Sequence, residues 1–355
     1  MSKSIHIFSK NTCQNCGVSR AAVDHFKWEC EPRGREIIVK CAFCDSKNRI
    51  ALKSDKKAIP LCGKCRLPLF ISPNEKEMLI EDMVGLDSVK IELNRIIASV
   101  KINKARTAKG LPKVPQALNF VFYGGPGTGK TQVARLLAKG LREAGLLKKD
   151  HLIEVDRSSL VGQYQGHTAK KVSDVFSKAL EGVLFIDEAY SLSSGKDDDF
   201  GNEAIDTLVK LIEDNRDRVV VIVAGYKNEI EEFLNINPGL KSRFTRFIDF
   251  PNYSIQELCD IFRSILNKNG QFLSKEANIR LSEILLILNQ HDKDFGNARG
   301  ARNVAEKIYA IQSVRLELIE NPTKEQYAKI ELEDFYSLLV DFNIPEDVIK
   351  KFKKL

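Results

Sequence analysis

The segment NFVFYGGPGTGKTQVARLLAKGLREAG, residues 119–145, constrains this chain more than any other. Its apolar start reads as a short buried strand, and TQVARLLAKGLREAG reads as a helix. Between them, GGPGTGKT fits G-x-x-x-x-G-K-[ST] with Gly124, Gly129, Lys130 and Thr131 in the defining places. The loop of Gly124, Gly125, Pro126, Gly127, Thr128 and Gly129 can curl so that consecutive N–H groups point at phosphate oxygens, and the helix N-terminus adds its positive dipole end. In that arrangement Lys130 reaches the β- and γ-phosphates of ATP and Thr131 ligates Mg2+.

Such a loop needs a carboxylate for its metal, and GVLFIDEAYSL supplies the best candidate. Val183 to Ile186 read as a central parallel strand buried on both faces. Asp187 then falls at the strand's C-terminal end, where ligands bind in open α/β sheets. Asp187 is expected to hold Mg2+ largely through water, and Glu188 to orient and polarise the attacking water. The surrounding pattern alternates helix, strand and loop over residues 76–250, which predicts an α/β fold with a parallel sheet between helices. Residues 86–108 show helical periodicity until Gly110, Pro112 and Pro115 break it. From Pro251 the chain is helical, predicting a small all-α lid over 251–325. A helical tail is expected over 326–355, ending in the basic KKFKKL.

The first 75 residues have a different chemistry. They hold 14 Lys and Arg against 7 Asp and Glu, whereas residues 76–355 hold 41 of each sign. Seven of the eight cysteines are there too, at 13, 16, 30, 41, 44, 62 and 65, and Cys259 reads as a small buried hydrophobe. Three C-x-x-C pairs in a chain with no signal peptide read as metal knuckles, so a cytoplasmic zinc-ribbon-like module is expected. Seventeen residues separate Cys44 from Cys62, within the C-x2-C-x15–20-C-x2-C window, so Cys41, Cys44, Cys62 and Cys65 form the preferred Zn2+ site. Cys13, Cys16, His25 and Cys30 have the chemistry for a second Zn2+. Two other readings stay open: His25 on the surface with Cys30 in a core beside Trp28, or Cys13 and Cys16 pairing with Cys41 and Cys44. The stretch VKCAFCDSKNRI followed by LCGKCRLPLF resembles the zinc-binding extension ahead of some bacterial thioredoxins, which supports the preferred pairing.

From about Met83 to Arg315 the chain resembles the AAA+ ATPases, and most closely the CbxX/CfqX group. The resemblance rests on VGLDSVK, GGPGTGKT, LVGQYQGHTAKKV, GVLFIDEAYSL, FGNEAIDTLVKLIEDNRDRVVVIVAGY, NPGLKSRF and FGNARGARN, in that order. It implies an AAA+ core with a helical lid and self-association into a ring, usually a hexamer. It also implies an arginine supplied by the neighbouring subunit, for which Arg243 is the first choice and Arg246 the second. Positive charge supplied in trans to the γ-phosphoryl group couples hydrolysis to assembly. Within the subunit, GNAR places Arg299 over the γ-phosphate, with Arg302 as the fallback. The family's polar sensor after the fourth strand is unassigned, since Ala224, Gly225 and Tyr226 stand there. Tyr164, followed by Gln165 and Gly166, matches the pore loop that grips a polypeptide.

Together these features predict an ATP-driven remodeller of a protein client recruited by the zinc module. The competing class is a nucleic-acid-dependent ATPase that uses the basic module to bind DNA or RNA. No run of apolar residues approaches the length of a membrane helix.

Overall fold

The computed structural model describes residues 78–354 apart from 163, 165, 194–198 and 293. In the N-terminal part it describes residues 8–9, 12–13, 35–41, 43, 46–52, 61–64 and 66–67. The chain forms two compact units, Met1–Glu75 and Lys76–Leu355.

In the first unit, β1 (Phe8–Ser9) and β2 (Thr12–Cys13) pair antiparallel, as do β3 (Arg35–Lys40) and β4 (Lys47–Leu52). Cys41 follows β3 directly, and its N–H donates to Ser46 O at 2.8 Å. Cys62 repeats that local bond at the same spacing, donating to Leu67 O at 2.8 Å. Both cysteines are buried.

The second unit is built on a five-stranded parallel sheet. Its strands are β5 (Phe120–Tyr123), β6 (Leu152–Val155), β7 (Val183–Ile186), β8 (Val220–Gly225) and β9 (Arg246–Asp249), in the spatial order β6-β7-β8-β5-β9. Strand β8 therefore lies between the strand that feeds the glycine-rich loop and the strand that ends at Asp187. The central strands are apolar on both faces because both are covered. Phe120 and Phe122 face α1 (Asp87–Ala108) and α2 (Lys130–Ala144). Val121 and Tyr123 alternate to the other face, under α3 (His167–Ala179), α4 (Asp199–Asp214) and α5 (Lys227–Ile236). In α1, Val89, Leu93, Ile96 and Val100 recur at helical spacing and form its buried stripe. A short helix, α6 (Pro238–Arg243), begins with Asn237 capping Gly239 N and Pro238 in the first turn.

The lid follows as α7 (Ile255–Lys268), α8 (Lys275–His291) and α9 (Ala298–Glu317). Ser254 and Glu257 close a capping box at the start of α7. The helical stretch expected as a tail over 326–355 shares the lid's core. Its helices α10 (Leu332–Asp341) and α11 (Glu346–Lys354) bury Phe335, Leu338, Leu339, Ile349 and Phe352 in the same core as Phe262, Leu281 and Val304. Ser274 N also donates to Ile330 O, beside a short parallel pairing of Phe272–Leu273 with Lys329–Ile330. Among the described residues no helix is long and apolar enough to cross a membrane.

Candidate functional site

Gly124, Gly127 and Gly129 all adopt positive φ, so the loop between β5 and α2 curls as its glycines permit. At Gly127 space also demands glycine, because a Cβ there would lie 2.1 Å from Gly296 O and 2.9 Å from Arg299 N. Lys130 Nζ donates to Gly124 O at 2.7 Å and Gly125 O at 2.8 Å, and Thr128 Oγ1 donates to Gly125 O at 2.9 Å. The first amides of α2 have no intrahelical acceptors, which makes the helix start an anion site.

A cavity of about 470 Å³ gathers Gly124, Pro126 to Thr131, Asp187, Glu188, Arg299 and Arg302. Burial lowers the Lys130 pKa, Asp187 and then Glu188 oppose the shift, and Arg299 reinforces it. The Arg299 charge is thus felt at the phosphate-loop lysine. Asp187 N is anchored to Val155 O at 2.9 Å, and Glu188 adopts a positive φ of 47° at the end of β7. A backbone in that sparsely populated region beside a cleft is typical of a functional site. A second depression of about 670 Å³ shares Asp187 and Glu188 and is lined by Asp156, Arg157, Ser158 and Lys171. It contains no residue of the phosphate loop, so the smaller cavity is the candidate nucleotide site.

The remaining expected residues lie elsewhere. Arg243, at the end of α6, pairs with Glu213 at 3.1 Å and donates to Gly239 O at 3.0 Å. Arg246 donates to Ala117 O at 2.8 Å. Tyr164 is 67% exposed between Leu160 and α3, with His167 packed edge-on 5.5 Å away, and Gln165 lies outside the described residues. In the N-terminal unit, Cys16, His25, Cys30, Cys44 and Cys65 also lie outside them, and Cys13 is described by its backbone alone. Among the described residues no group of three or more potential ligands surrounds a metal position. The Cys62 sulfur does lie 3.0 Å from Ser46 Oγ, 3.4 Å from the Lys64 amide and 3.5 Å from Asn48 Nδ2.

Five residues to which the sequence assigned no role stand in or beside the candidate nucleotide site. Tyr190 and Tyr226 line the cavity, Tyr226 at the end of β8 where no sensor was assigned. Burial and the Glu188 carboxylate raise the Tyr190 pKa. Glu154 lies 3.4 Å from the Thr131 hydroxyl and pairs with Arg135 at 2.9 Å. Tyr253 and Asn297 reach the phosphate loop from the lid side. The only signal for them was their place inside PNYS and GNAR, read there as a domain boundary and as the setting of Arg299.

The ATPase family associated with various cellular activities (AAA) matches residues 120–252, and the AAA lid domain matches 254–340. Stage V sporulation protein K of Bacillus subtilis is 44% identical over 262 residues, covering 73% of this chain and 81% of its own length. Protein CfxQ of Xanthobacter flavus is 41% identical over 275 residues, covering 75% of this chain and 86% of its own. ESX-3 secretion system protein EccA3 of Mycobacterium tuberculosis is 38% identical over 272 residues, and this chain spans 43% of its length. The solved FIGL-1 AAA domain in complex with ADP has the same fold, with a TM-score of 0.53 at 20% identity over 79% of this chain and 90% of that one. Family, lid and cavity agree: the chain is an ATP-hydrolysing member of the AAA family, in the CbxX/CfqX group.

Proposed function

We propose that this ATPase assembles into a ring, with six subunits the expected number, and uses hydrolysis to remodel or thread a protein client. The convergence of phosphate loop, acidic pair and lid arginines on one cavity carries the residue assignments. The amides of Gly124 to Gly129 and the Lys130 ammonium hold the phosphates. Thr131 and Asp187 present the oxygen ligands that Mg2+ prefers and line the same cavity, so they fit that ion. Mg2+, when bound, neutralises charge on the β- and γ-phosphate oxygens. Glu188 accepts a hydrogen bond from the attacking water and polarises it. Arg299, with Arg302 one turn further on, meets the γ-phosphoryl oxygens from within the subunit, while Arg243, with Arg246 second, completes a neighbour's site.

Tyr164 supports a polypeptide client, since an exposed aromatic on a loop is free to grip a chain. Relatives named for sporulation and for a secretion system are compatible with protein handling. Cys41, Cys44, Cys62 and Cys65 hold one structural Zn2+ in a module that recruits the client. A second Zn2+ at Cys13, Cys16, His25 and Cys30 is the alternative stoichiometry. The donors around the Cys62 sulfur support a metal-bound thiolate there.

Glu188→Gln tests the proposal. This variant should bind ATP without turnover and retain its client, which mass spectrometry then identifies. The N-terminal charge excess favours the second reading, a nucleic-acid-dependent ATPase. A trap holding nucleic acid and no protein, with ATPase stimulation by DNA or RNA that declines steeply with salt, would replace the first reading by the second.

A further inference from the structure

Three consecutive carbonyls of the phosphate loop are each held by a donor from the lid or from the segment entering it. Asn297 Nδ2 donates to Pro126 O at 3.2 Å, Ala298 N to Gly127 O at 3.1 Å, and the Tyr253 hydroxyl to Thr128 O at 3.2 Å. The Asn297 side chain also accepts from Tyr253 N at 3.0 Å and donates to Asn252 Oδ1 at 3.0 Å. One amide group therefore joins the loop, the lid's entry segment and the start of α9. Its backbone stands at φ 58°, ψ −129°, a combination that residues with a side chain rarely adopt and that persists only where the surroundings over-determine it.

The peptide unit is planar, so the carbonyl of one residue and the N–H of the next turn together. The carbonyls of Pro126, Gly127 and Thr128 share their planes with the N–H groups of Gly127, Thr128 and Gly129. Those are the amides that cradle phosphate. Fixing the carbonyls from the lid aims the amides, and turning the amides onto phosphate pulls on the lid.

We propose that Asn297 and Tyr253 are positioning residues that couple lid orientation to occupancy of the phosphate loop, independently of the γ-phosphate and of Arg299. The inference rests on nucleotide binding at this loop and holds for a protein or a nucleic-acid client. Its consequence is a lid that responds to ADP as well as to ATP. The hydroxyl of Tyr253 remains a donor across the working range, because burial and then the nearby Glu257 carboxylate push its pKa up to about 12.

The test uses the full chain with ADP and Mg2+, read by hydrogen exchange and by nucleotide affinity. In the unaltered protein, ADP should protect the start of α2 and the start of α9. Asn297→Gly keeps the backbone freedom this position needs and removes the side-chain amide that joins the three segments, leaving the Ala298 N and Tyr253 hydroxyl donors in place. In that variant α2 should still be protected by ADP, the protection of α9 should be markedly reduced, and ADP and ATP affinities should fall together by about tenfold, as the loss of the amide's hydrogen bonds to Pro126 O, Tyr253 N and Asn252 implies. Tyr253→Phe removes a single hydroxyl, carries the test should the glycine variant not fold, and should weaken the α9 response in the same direction. Arg299→Ala should leave the α9 response to ADP intact. An unchanged α9 response in both clamp variants, or its loss in Arg299→Ala alone, overturns the proposal. Absence of ADP binding to the unaltered chain overturns the nucleotide-site assignment itself, and this inference with it.

Discussion

The guanidinium of Arg243 is ion-paired at 3.1 Å to the carboxylate of Glu213 in its own subunit. An arginine that serves a neighbouring site must exchange that partner for the γ-phosphoryl group on assembly. Its side chain is 23% exposed and that of Glu213 50%, so the pair is close to a surface salt bridge in strength and can be exchanged at modest cost. Arg243→Ala is expected to lower kcat by about 10³-fold, the scale of a trans-acting arginine, with ATP affinity of the unassembled chain unchanged. Glu213→Gln removes the competitor and should retain turnover, reaching half-maximal rate at a lower protein concentration. Steady-state ATPase measured against protein concentration checks both. Equal losses in the two variants would mean that the pair only fixes α6.

A pH effect follows from Lys130. Burial holds its pKa below the ordinary 10.5 in the nucleotide-free site, and phosphate oxygens stabilise the ammonium, so the pKa in the complex is higher. Binding therefore favours the protonated form. Affinity for ADP should be flat below the lowered pKa, fall as pH rises through it, and level off above the pKa of the complex. Calorimetry from neutral pH toward pH 10 should also show proton uptake on binding in that window. Affinity independent of pH throughout would remove Lys130 from the phosphate contacts.

The proposed zinc site gives a metal-removal prediction. A unit of this size has a marginal core, which a bound metal would stabilise. Cys62→Ser should lower bound zinc by one equivalent per chain and render Met1–Glu75 sensitive to protease, as should a strong chelator. Unchanged metal content in Cys62→Ser would show that this thiol is a buried core group.

Local spacing made the glycine-rich loop and the acidic pair legible as candidates that line one cavity, because each motif is a few residues long and its chemistry is set by neighbours in sequence. The partners that orient them were not legible. Asn297 reaches Pro126 across 171 positions and Tyr253 reaches Thr128 across 125, and no pattern of residue types announces such a contact. Glu213 was invisible as the partner of Arg243 for the same reason. Residues 326–355 read as a helical tail because they follow the lid and include the amphipathic IELEDFYSLLV. The apolar face of α10 shares a core with α7, α8 and α9, which sequence order conceals.

The join between α9 and α10 yields a stability prediction. Asp334 is 1% exposed, accepts from Arg315 Nε at 2.7 Å and Nη2 at 2.9 Å, and also accepts from Glu331 N at 2.8 Å as the partner in a capping box. The hydrogen bond it donates to Asp334 raises the Arg315 pKa, so the guanidinium stays charged at all accessible pH. Arg315→Leu would strand the carboxylate in the lid core, at a cost of about 3 kcal/mol, the lower end for breaking a buried pair, because the arginine itself is partly exposed. Asp334→Asn can keep the cap through its amide oxygen but loses the charge and the acceptor for Arg315 Nε; it leaves no buried ion unpaired, so it should cost less. Urea unfolding followed by circular dichroism orders the two, and a larger loss in Asp334→Asn would mean that the ion pair contributes more than the burial argument allows.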